Sequence, residues 1–111
     1  MEQININSTG DYKNFLNENS GAVVYFSTHE CNVCKVLKPK LKEMLRQDFP
    51  EMKFGYVDCN IAKELAAQNQ IFAVPTILFF FDSKELFRKS RNINLTILKE
   101  ELRRPYSLFF N

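Results

Sequence analysis

Several kinds of residue are scarce in this chain of 111 amino acids, and each scarcity argues against a class of protein. There is no tryptophan, one histidine and only three cysteines. A small, odd number of cysteines argues against a framework of structural disulfides. A structural zinc site usually takes four cysteine or histidine ligands in paired spacing, and here the three cysteines and His29 would all be needed. Neither structural role therefore suits these cysteines.

Net charge and long apolar runs are limited as well. The formal net charge is +2, from 15 basic and 13 acidic side chains, and no basic block is interleaved with aromatic residues. Nucleic acid is therefore not an expected partner. Residues 1–7 have neither the basic nor the apolar region of a signal peptide, and no apolar run reaches membrane-spanning length. We expect no membrane partner and a cytoplasmic location.

The length and the 45% hydrophobic content are enough for one core and too little for two ordinary domains. We predict a single domain over residues 1–111, with residues 105–111 as an apolar C-terminal extension. The apolar runs at 22–26 and 77–81 are typical of strands covered on both faces by helices. The predicted order is β-α-β-α-β-α-β-β-α, an α/β fold with a mixed central sheet flanked by helices on both faces.

Helix boundaries are predicted from caps and prolines. Asp58 and Asn94 are expected to cap the helices that follow them, and the last helix is expected to end before Pro105. Apolar residues from Val33 to Leu45 recur at helical spacing, which predicts a helix that packs on the sheet. The proline within it, Pro39, either kinks this helix or divides it into two short ones.

Cys31 and Cys34 lie three positions apart, between an apolar strand and this helix. The first turn of a helix has unpaired N–H groups and the positive end of the helix dipole, and both favour a thiolate. Cys-X-X-Cys placed there can lower the pKa of the first thiol well below about 8.5. We expect Cys31 to attack a disulfide and the deeper Cys34 to resolve the mixed disulfide. Half of a metal site, or a pair without redox function, are the alternatives.

These cysteines, together with Pro39 in the helix and Val74-Pro75-Thr76 before a buried strand, resemble the thioredoxin family. The resemblance covers nearly the whole chain and implies the thioredoxin fold. It also implies a redox-active disulfide with no metal or organic cofactor, and disulfide-containing proteins as substrates. The implied electron donor is an NADPH-dependent flavoprotein of the thioredoxin-reductase type.

The resemblance further implies a substrate-binding surface around the thiols. Pro75 is expected to be cis, with the main-chain groups of Val74 pairing with the extended chain of the substrate. The other residues expected to contact substrate are Asn32, Val33, Phe72, Ala73 and Arg91. For Phe72, burial in the core is an equal alternative.

Parts of this surface depart from the family pattern. The dipeptide between the thiols is Asn32-Val33, and Glu30 stands where a tryptophan usually precedes the first cysteine. The redox potential therefore cannot be carried over, because it depends on this dipeptide. Ser90-Arg91-Asn92 replaces a small glycine-containing loop, which predicts a larger, cationic rim and a different choice of substrate.

The family's proton-transfer pair is also missing. A buried aspartate that assists the second thiol is matched by Tyr25, and its lysine partner falls near Phe54, with Lys53 adjacent. Deprotonation of Cys34 is then expected either to be slower or to use water or a nearby group such as His29. His29 is otherwise expected to be an exposed loop residue without a required role.

The leading hypothesis is a thiol–disulfide oxidoreductase that reduces protein disulfides through Cys31 and Cys34. The alternative is a thioredoxin-fold binding or scaffold protein, in which the cysteines are spectators and the apolar tail contacts a partner. The tail is expected to pack back onto a monomer, with dimerisation or partner docking as alternatives. Cys59 is expected to be a partly buried small hydrophobe, with a regulatory or intermolecular thiol as the other reading.

Overall fold

The computed structural model describes residues 1–111 and contains five strands and four helices in the predicted order. The α/β prediction is therefore confirmed. No helix has the length and apolar character needed to cross a bilayer. The elements are β1 (Gln3–Asn5), α1 (Thr9–Glu18), β2 (Gly21–Ser27), α2 (Asn32–Asp48), β3 (Lys53–Asp58), α3 (Lys63–Gln68), β4 (Thr76–Phe81), β5 (Lys84–Ser90) and α4 (Leu95–Phe110).

The strands form one mixed sheet in the order β1-β3-β2-β4-β5. Strands β1 and β2 run parallel to β3, whereas β4 is antiparallel to both β2 and β5. The tight β4–β5 turn has positive φ at Asp82 and Ser83, as two-residue hairpin turns require. Near the end of β2, Phe26 pairs with Thr76, so the start of β4 lies beside the segment that leads to Cys31.

Two clusters of buried side chains cover the two sides of this sheet. Alternate residues of β2 supply both, because successive side chains of a strand point to opposite faces. Val23 and Tyr25 belong to the cluster that α2 and α4 cover, the α2/α4 face. Val24 and Phe26 belong to the cluster that α1 and α3 cover, the α1/α3 face. All seven residues of β2 are buried, as predicted for a central strand.

Helix α2 is continuous through Pro39, so the alternative of two short helices is wrong. Its apolar spacing predicts the buried side only in part. Leu37, Leu41 and Leu45 face the core, but Val33 and Val36 are 63% and 58% exposed. These two valines share the helical spacing of core residues and nevertheless lie outside the contact with the sheet.

The prediction that α4 ends before Pro105 is wrong, because the helix continues to Phe110. An internal proline costs a helix about 3 kcal/mol, and contacts beyond Pro105 offset this cost. Tyr106 packs edge-on against Phe49 with ring centroids 5.1 Å apart, and its hydroxyl accepts a hydrogen bond of 2.9 Å from the Glu51 N–H. Phe109 and Phe110 pack against Phe81. Residues 105–110 thus complete the helix against the α2/α4 face.

The two predicted caps have different outcomes. Asn94 accepts hydrogen bonds from the N–H groups of Thr96 and Ile97, which confirms it as the cap of α4. Asp58 does not cap α3, which begins five residues later at Lys63 without a side-chain cap. The Asp58 carboxylate instead accepts from the N–H of Asn60 at 2.9 Å, two residues along its own loop.

Candidate active site

The two thiols lie where β2 ends and α2 begins. Cys31 is the N-cap residue of α2, and its sulfur accepts a hydrogen bond of 3.2 Å from the N–H of Cys34. A cap acceptor at a helix N-terminus is stabilised most when it is an anion, because it faces unpaired N–H groups and the positive end of the dipole. This geometry therefore favours the thiolate form of Cys31 once the pair is reduced.

Cys31 and Cys34 form a disulfide with their Cα atoms 5.3 Å apart. The two sulfurs differ in access to solvent. Cys34 is only 2% exposed, whereas Cys31 is partly exposed. A substrate disulfide can therefore reach Cys31 directly, while Cys34 is available mainly to Cys31.

Tyr25 lies beneath the thiols, in the centre of the α2/α4 face. It is fully buried, and its hydroxyl donates a hydrogen bond of 2.8 Å to the carbonyl of Cys34. Its ring packs against those of Phe54 and Tyr56 on β3, with centroids 5.8 Å and 6.2 Å away. Sequence reasoning identified the position as a departure from the family pattern. It missed this contact, because the carbonyl belongs to another element.

The cis-proline loop lies beside the thiols. The Val74–Pro75 peptide bond is cis, and Val74 packs with Cys31 against the core of the α2/α4 face. The loop is held by two hydrogen bonds. The Thr76 hydroxyl donates to the Ala73 carbonyl at 2.6 Å, and the Arg91 N–H donates to the Pro75 carbonyl at 2.9 Å.

The other predicted substrate contacts line two neighbouring depressions. Asn32 and Val33 line one together with Val36 and Ile93, and its lining is mostly apolar. Phe72, which is 88% exposed and so not a core residue, lines the second with Ala73 and Arg91. Arg91 also borders a smaller hollow beside Val33, so it lies between the two depressions.

Arg91 has an unusual backbone conformation for its residue type. Its φ is +66°, in the left-handed region that favours glycine. The hydrogen bond from its N–H to Pro75 holds it there. Its side chain makes no ion pair, whereas Arg46, Arg88 and Arg103 each pair with a glutamate. A free cation therefore stands at the rim of the thiol surface.

A second loop approaches from the end of β3. The side-chain amide of Asn60 donates to both carboxylate oxygens of Glu30, at 2.9 Å and 3.2 Å.

The Cys59 N–H donates to the Ser27 carbonyl at 2.8 Å. Burial and then the charge of Asp58 raise the pKa of the Cys59 thiol to about 11, so it remains protonated near neutral pH. His29 is exposed and makes no hydrogen bond or ion pair.

Comparison with known families decides what this arrangement is. The family model described as Thioredoxin matches residues 3–104. The chain belongs to the thioredoxin family. It is 31% identical to "Thioredoxin-like protein YdfQ" of Bacillus subtilis, over 97% of this chain and 96% of that protein. It is 32% identical to "Thioredoxin" of Mycoplasmoides gallisepticum, over 88% of this chain and 97% of that protein.

Solved structures of thioredoxins agree with this assignment. Fasciola hepatica thioredoxin is 30% identical with a TM-score of 0.81, over 93% of this chain and 98% of that one. Trypanosoma brucei brucei thioredoxin has a TM-score of 0.84 at 22% identity, over 96% of this chain and 92% of that one, which shows the shared fold. This thioredoxin-family protein is therefore a protein-disulfide oxidoreductase whose redox group is the Cys31–Cys34 disulfide.

Proposed function

We propose that this thioredoxin-family protein reduces protein disulfides, with Cys31 as the nucleophile and Cys34 as the resolving thiol. The observation that carries these roles is the cap geometry. The partly exposed sulfur of Cys31 accepts a hydrogen bond from an N–H of the helix terminus, and the buried sulfur of Cys34 lies one turn further on. The nucleophile must be both accessible and stabilised as a thiolate, and only Cys31 meets both conditions.

The reaction follows from these roles in two steps. The Cys31 thiolate attacks one sulfur of a substrate disulfide, forming the Cys31–substrate bond and releasing the other substrate sulfur as a thiolate. The Cys34 thiolate then attacks Cys31, so that the Cys31–Cys34 bond forms and the second substrate thiolate leaves. The substrate gains two electrons and, once its thiolates are protonated, two protons, while the cysteine pair becomes the disulfide of this structure.

The substrate segment binds across the cis-proline loop in this proposal. The main chain of Val74 pairs with the extended substrate, and Asn32, Val33, Phe72, Ala73 and Arg91 contact its side chains. Support comes from the location of the side-chain contacts. Asn32 and Val33 line one depression, Phe72 and Ala73 line the other, and Arg91 lies between the two. The mostly apolar depression suits an aliphatic side chain, and the free guanidinium suits a carboxylate beside the disulfide.

Each turnover leaves the pair oxidised, so a reductant has to restore the dithiol. We propose that the electron donor is an NADPH-dependent flavoprotein reductase. We also propose that this thioredoxin-family protein is a monomer located in the cytoplasm. The unpaired thiol of Cys59 supports a reducing compartment. One structural neighbour comes from work on a thiol resolving mechanism in a yeast mitochondrial 1-Cys peroxiredoxin "via glutathione/thioredoxin systems".

Single cysteine variants test the proposed roles. With dithiothreitol as the reductant and insulin as the substrate, Cys31→Ser should lose insulin reduction and form no mixed disulfide. Cys34→Ser should lose turnover. When the reduced variant is freed of dithiothreitol and then mixed with insulin, it should accumulate a mixed disulfide through Cys31, which mass spectrometry detects. Cys59→Ser is the matched control and should retain activity within about twofold, because its thiol is outside the pair.

The scaffold alternative makes the opposite prediction. If Cys31→Ser and Cys34→Ser leave a cellular partner bound while removal of residues 105–111 releases it, the cysteines are spectators. A mixed disulfide trapped through Cys34 in Cys31→Ser would instead reverse the proposed order of the two thiols.

A further inference from the structure

Tyr25 is a fully buried polar residue in contact with the redox turn, and the two-step mechanism does not use it. Its hydroxyl has one hydrogen-bond partner, the carbonyl of Cys34 at 2.8 Å. Its ring packs against the rings of Phe54 and Tyr56. A phenylalanine would fill the same space without the cost of burying a hydroxyl. The hydroxyl therefore acts through its hydrogen bond to the Cys34 carbonyl.

The first turn of α2 is weakened just after Cys34. Pro39 has no N–H, so the carbonyl of Lys35 lacks its α-helical donor. In the same turn, the Cys34 N–H donates a hydrogen bond to the Cys31 sulfur, and the Cys34 carbonyl accepts one from the Tyr25 hydroxyl. When the disulfide opens, the covalent link between the two cysteines is lost. The contact with Tyr25 then ties this turn to the central strand.

We propose that Tyr25 is a positioning residue for Cys34, whose carbonyl it holds so that the Cys34 sulfur stays within reach of Cys31 when the disulfide closes. The closing step rests on the function proposed above. In that step the Cys34 thiolate attacks the mixed disulfide at Cys31, the Cys31–Cys34 bond forms, and the departing thiol leaves as a thiolate. Tyr25 takes no part in the electron or proton transfer and acts only through the Cys34 backbone.

The donor keeps its proton over the range in which thiols react. Burial, and then the neighbouring Tyr56, raise the pKa of the Tyr25 phenol above its ordinary value of 10.0. The other titratable groups here are Lys38, 4.3 Å above Tyr56, and Lys42, 5.2 Å above Phe54. In the reduced protein the thiols of Cys31 and Cys34 lie beside the carbonyl that Tyr25 bonds. Burial, and then the charge of Lys38, lower the pKa of Lys42. Neither lysine is hydrogen-bonded to the phenol, whose one partner is the Cys34 carbonyl. The positioning contact is therefore expected to be independent of pH between about 6 and 9.

The test compares Tyr25→Phe with Tyr12→Phe. Tyr12 is a second buried tyrosine, on the α1/α3 face, and its hydroxyl donates to the Asn69 side chain at 3.2 Å, away from the redox turn. Reduced protein is mixed with oxidised glutathione, quenched with acid and analysed by mass to follow closure of the glutathione mixed disulfide. The equilibrium between the Cys31–Cys34 disulfide and glutathione is measured on the same proteins.

We expect Tyr25→Phe to slow closure by about fivefold, the factor that one ordinary hydrogen bond represents, by the same factor at pH 6 and pH 9. Tyr12→Phe should leave closure within twofold. If Tyr25→Phe closes within twofold of the unaltered protein, or if Tyr12→Phe slows closure equally, Tyr25 is only a core residue. The glutathione assay needs no protein substrate, so it remains informative even if Cys34→Ser traps no mixed disulfide with insulin.

If Tyr25→Phe does not fold, nuclear magnetic resonance of the unaltered protein gives the answer. The Tyr25 hydroxyl proton should be protected from exchange with water in both the oxidised and the reduced protein. Rapid exchange in the reduced protein would show that the contact is lost when the disulfide opens, and would overturn the proposal.

Discussion

The two faces of the central sheet each bury a tyrosine, and the two hydroxyls are used differently. On the α1/α3 face, Tyr12 of α1 bonds the side chain of Asn69 at the end of α3, so it joins two helices. On the α2/α4 face, Tyr25 bonds the main chain of Cys34 and so joins the central strand to the redox turn. The same residue type therefore serves assembly on one face and, in our proposal, positioning of a thiol on the other.

The faces also differ in how completely they cover their apolar residues. Of the apolar residues on α1, Tyr12, Phe15 and Leu16 are all buried. Helix α2 leaves Val33 and Val36 exposed next to the thiols. Both faces therefore contribute to stability, whereas the redox chemistry takes place at one end of the α2/α4 face. Variants on the two faces should therefore separate stability from redox behaviour.

Truncation after Arg104 should have the largest effect on stability. It removes Tyr106, Phe109 and Phe110, which pack against Phe49 and Phe81 on the α2/α4 face. We expect the free energy of unfolding, measured in urea, to fall by about 3 kcal/mol. Insulin reduction per folded molecule should stay within twofold, because the segment lies outside the thiol surface.

The control for the truncation is Leu108→Ala, since Leu108 is 70% exposed and should change stability by less than about 0.5 kcal/mol. A truncated protein as stable as the full chain would contradict the packing role of the segment. A stable truncated protein without redox activity would place the tail in the active site instead.

Gly55→Ala should cause the next-largest loss of stability, through packing on the α1/α3 face. A Cβ atom there would lie 2.7 Å from Cδ1 of Ile6 and 2.9 Å from Cε2 of Phe15. Overpacking of this kind costs about 2 kcal/mol, and the redox equilibrium with glutathione should be unchanged. In the control Gly10→Ala the nearest neighbour is Ser8 Oγ at 3.8 Å, so no loss is expected. A changed redox equilibrium in Gly55→Ala would show that packing on the α1/α3 face affects the cysteine pair on the other face.

Cys59→Ala should change the response of stability to alkaline pH. The pKa of the Cys59 thiol is raised from 9.0 to about 11, so the folded protein favours the neutral thiol. This stabilisation is fully present below about pH 9 and is lost as pH rises through about 11. Relative to Cys59→Ala, the unaltered protein should therefore lose free energy of unfolding across that window. Urea titrations at pH 8, 9, 10 and 11 measure the difference, and parallel curves would contradict it.

Arg91→Ala should have the smallest effect, at the rim of the thiol surface. Loss of an exposed cation should raise KM about threefold for a disulfide peptide with an aspartate beside its cysteine, and leave kcat unchanged. A peptide with asparagine there should respond less. Arg104→Ala, which removes an exposed cation from α4, is the control. Equal effects on the two peptides would show that Arg91 does not bind the carboxylate.

Much of the fold could be predicted because it depends on local pattern. The continuous apolar runs predicted β2 and β4, and the short turn after Phe81 required β5 to be antiparallel to β4. The thiol pair could be placed at a strand-to-helix junction from its flanking residues alone. The spacing of the cysteines and the Val-Pro-Thr segment then identified the family.

The sequence-based predictions were wrong where tertiary contacts determine helix ends and buried faces. Pro105 is a helix terminator by its own chemistry, yet aromatic contacts from residues far away in sequence keep α4 intact. Val33 and Val36 have the spacing of core residues, and periodicity cannot distinguish a face covered by the sheet from one left open. The bond from Tyr25 to Cys34 joins two elements, so no local pattern indicates it.

The most direct test of the account is an equilibrium redox titration of Cys31 and Cys34 in glutathione buffers, with alkylation of free thiols and analysis by mass. It should be done on Cys59→Ala, so that only the pair is counted. We expect one two-electron transition between the dithiol and the Cys31–Cys34 disulfide, with the mixed disulfide never the main species. A pair that stays reduced, or that ends as a glutathione adduct on Cys31, would contradict it.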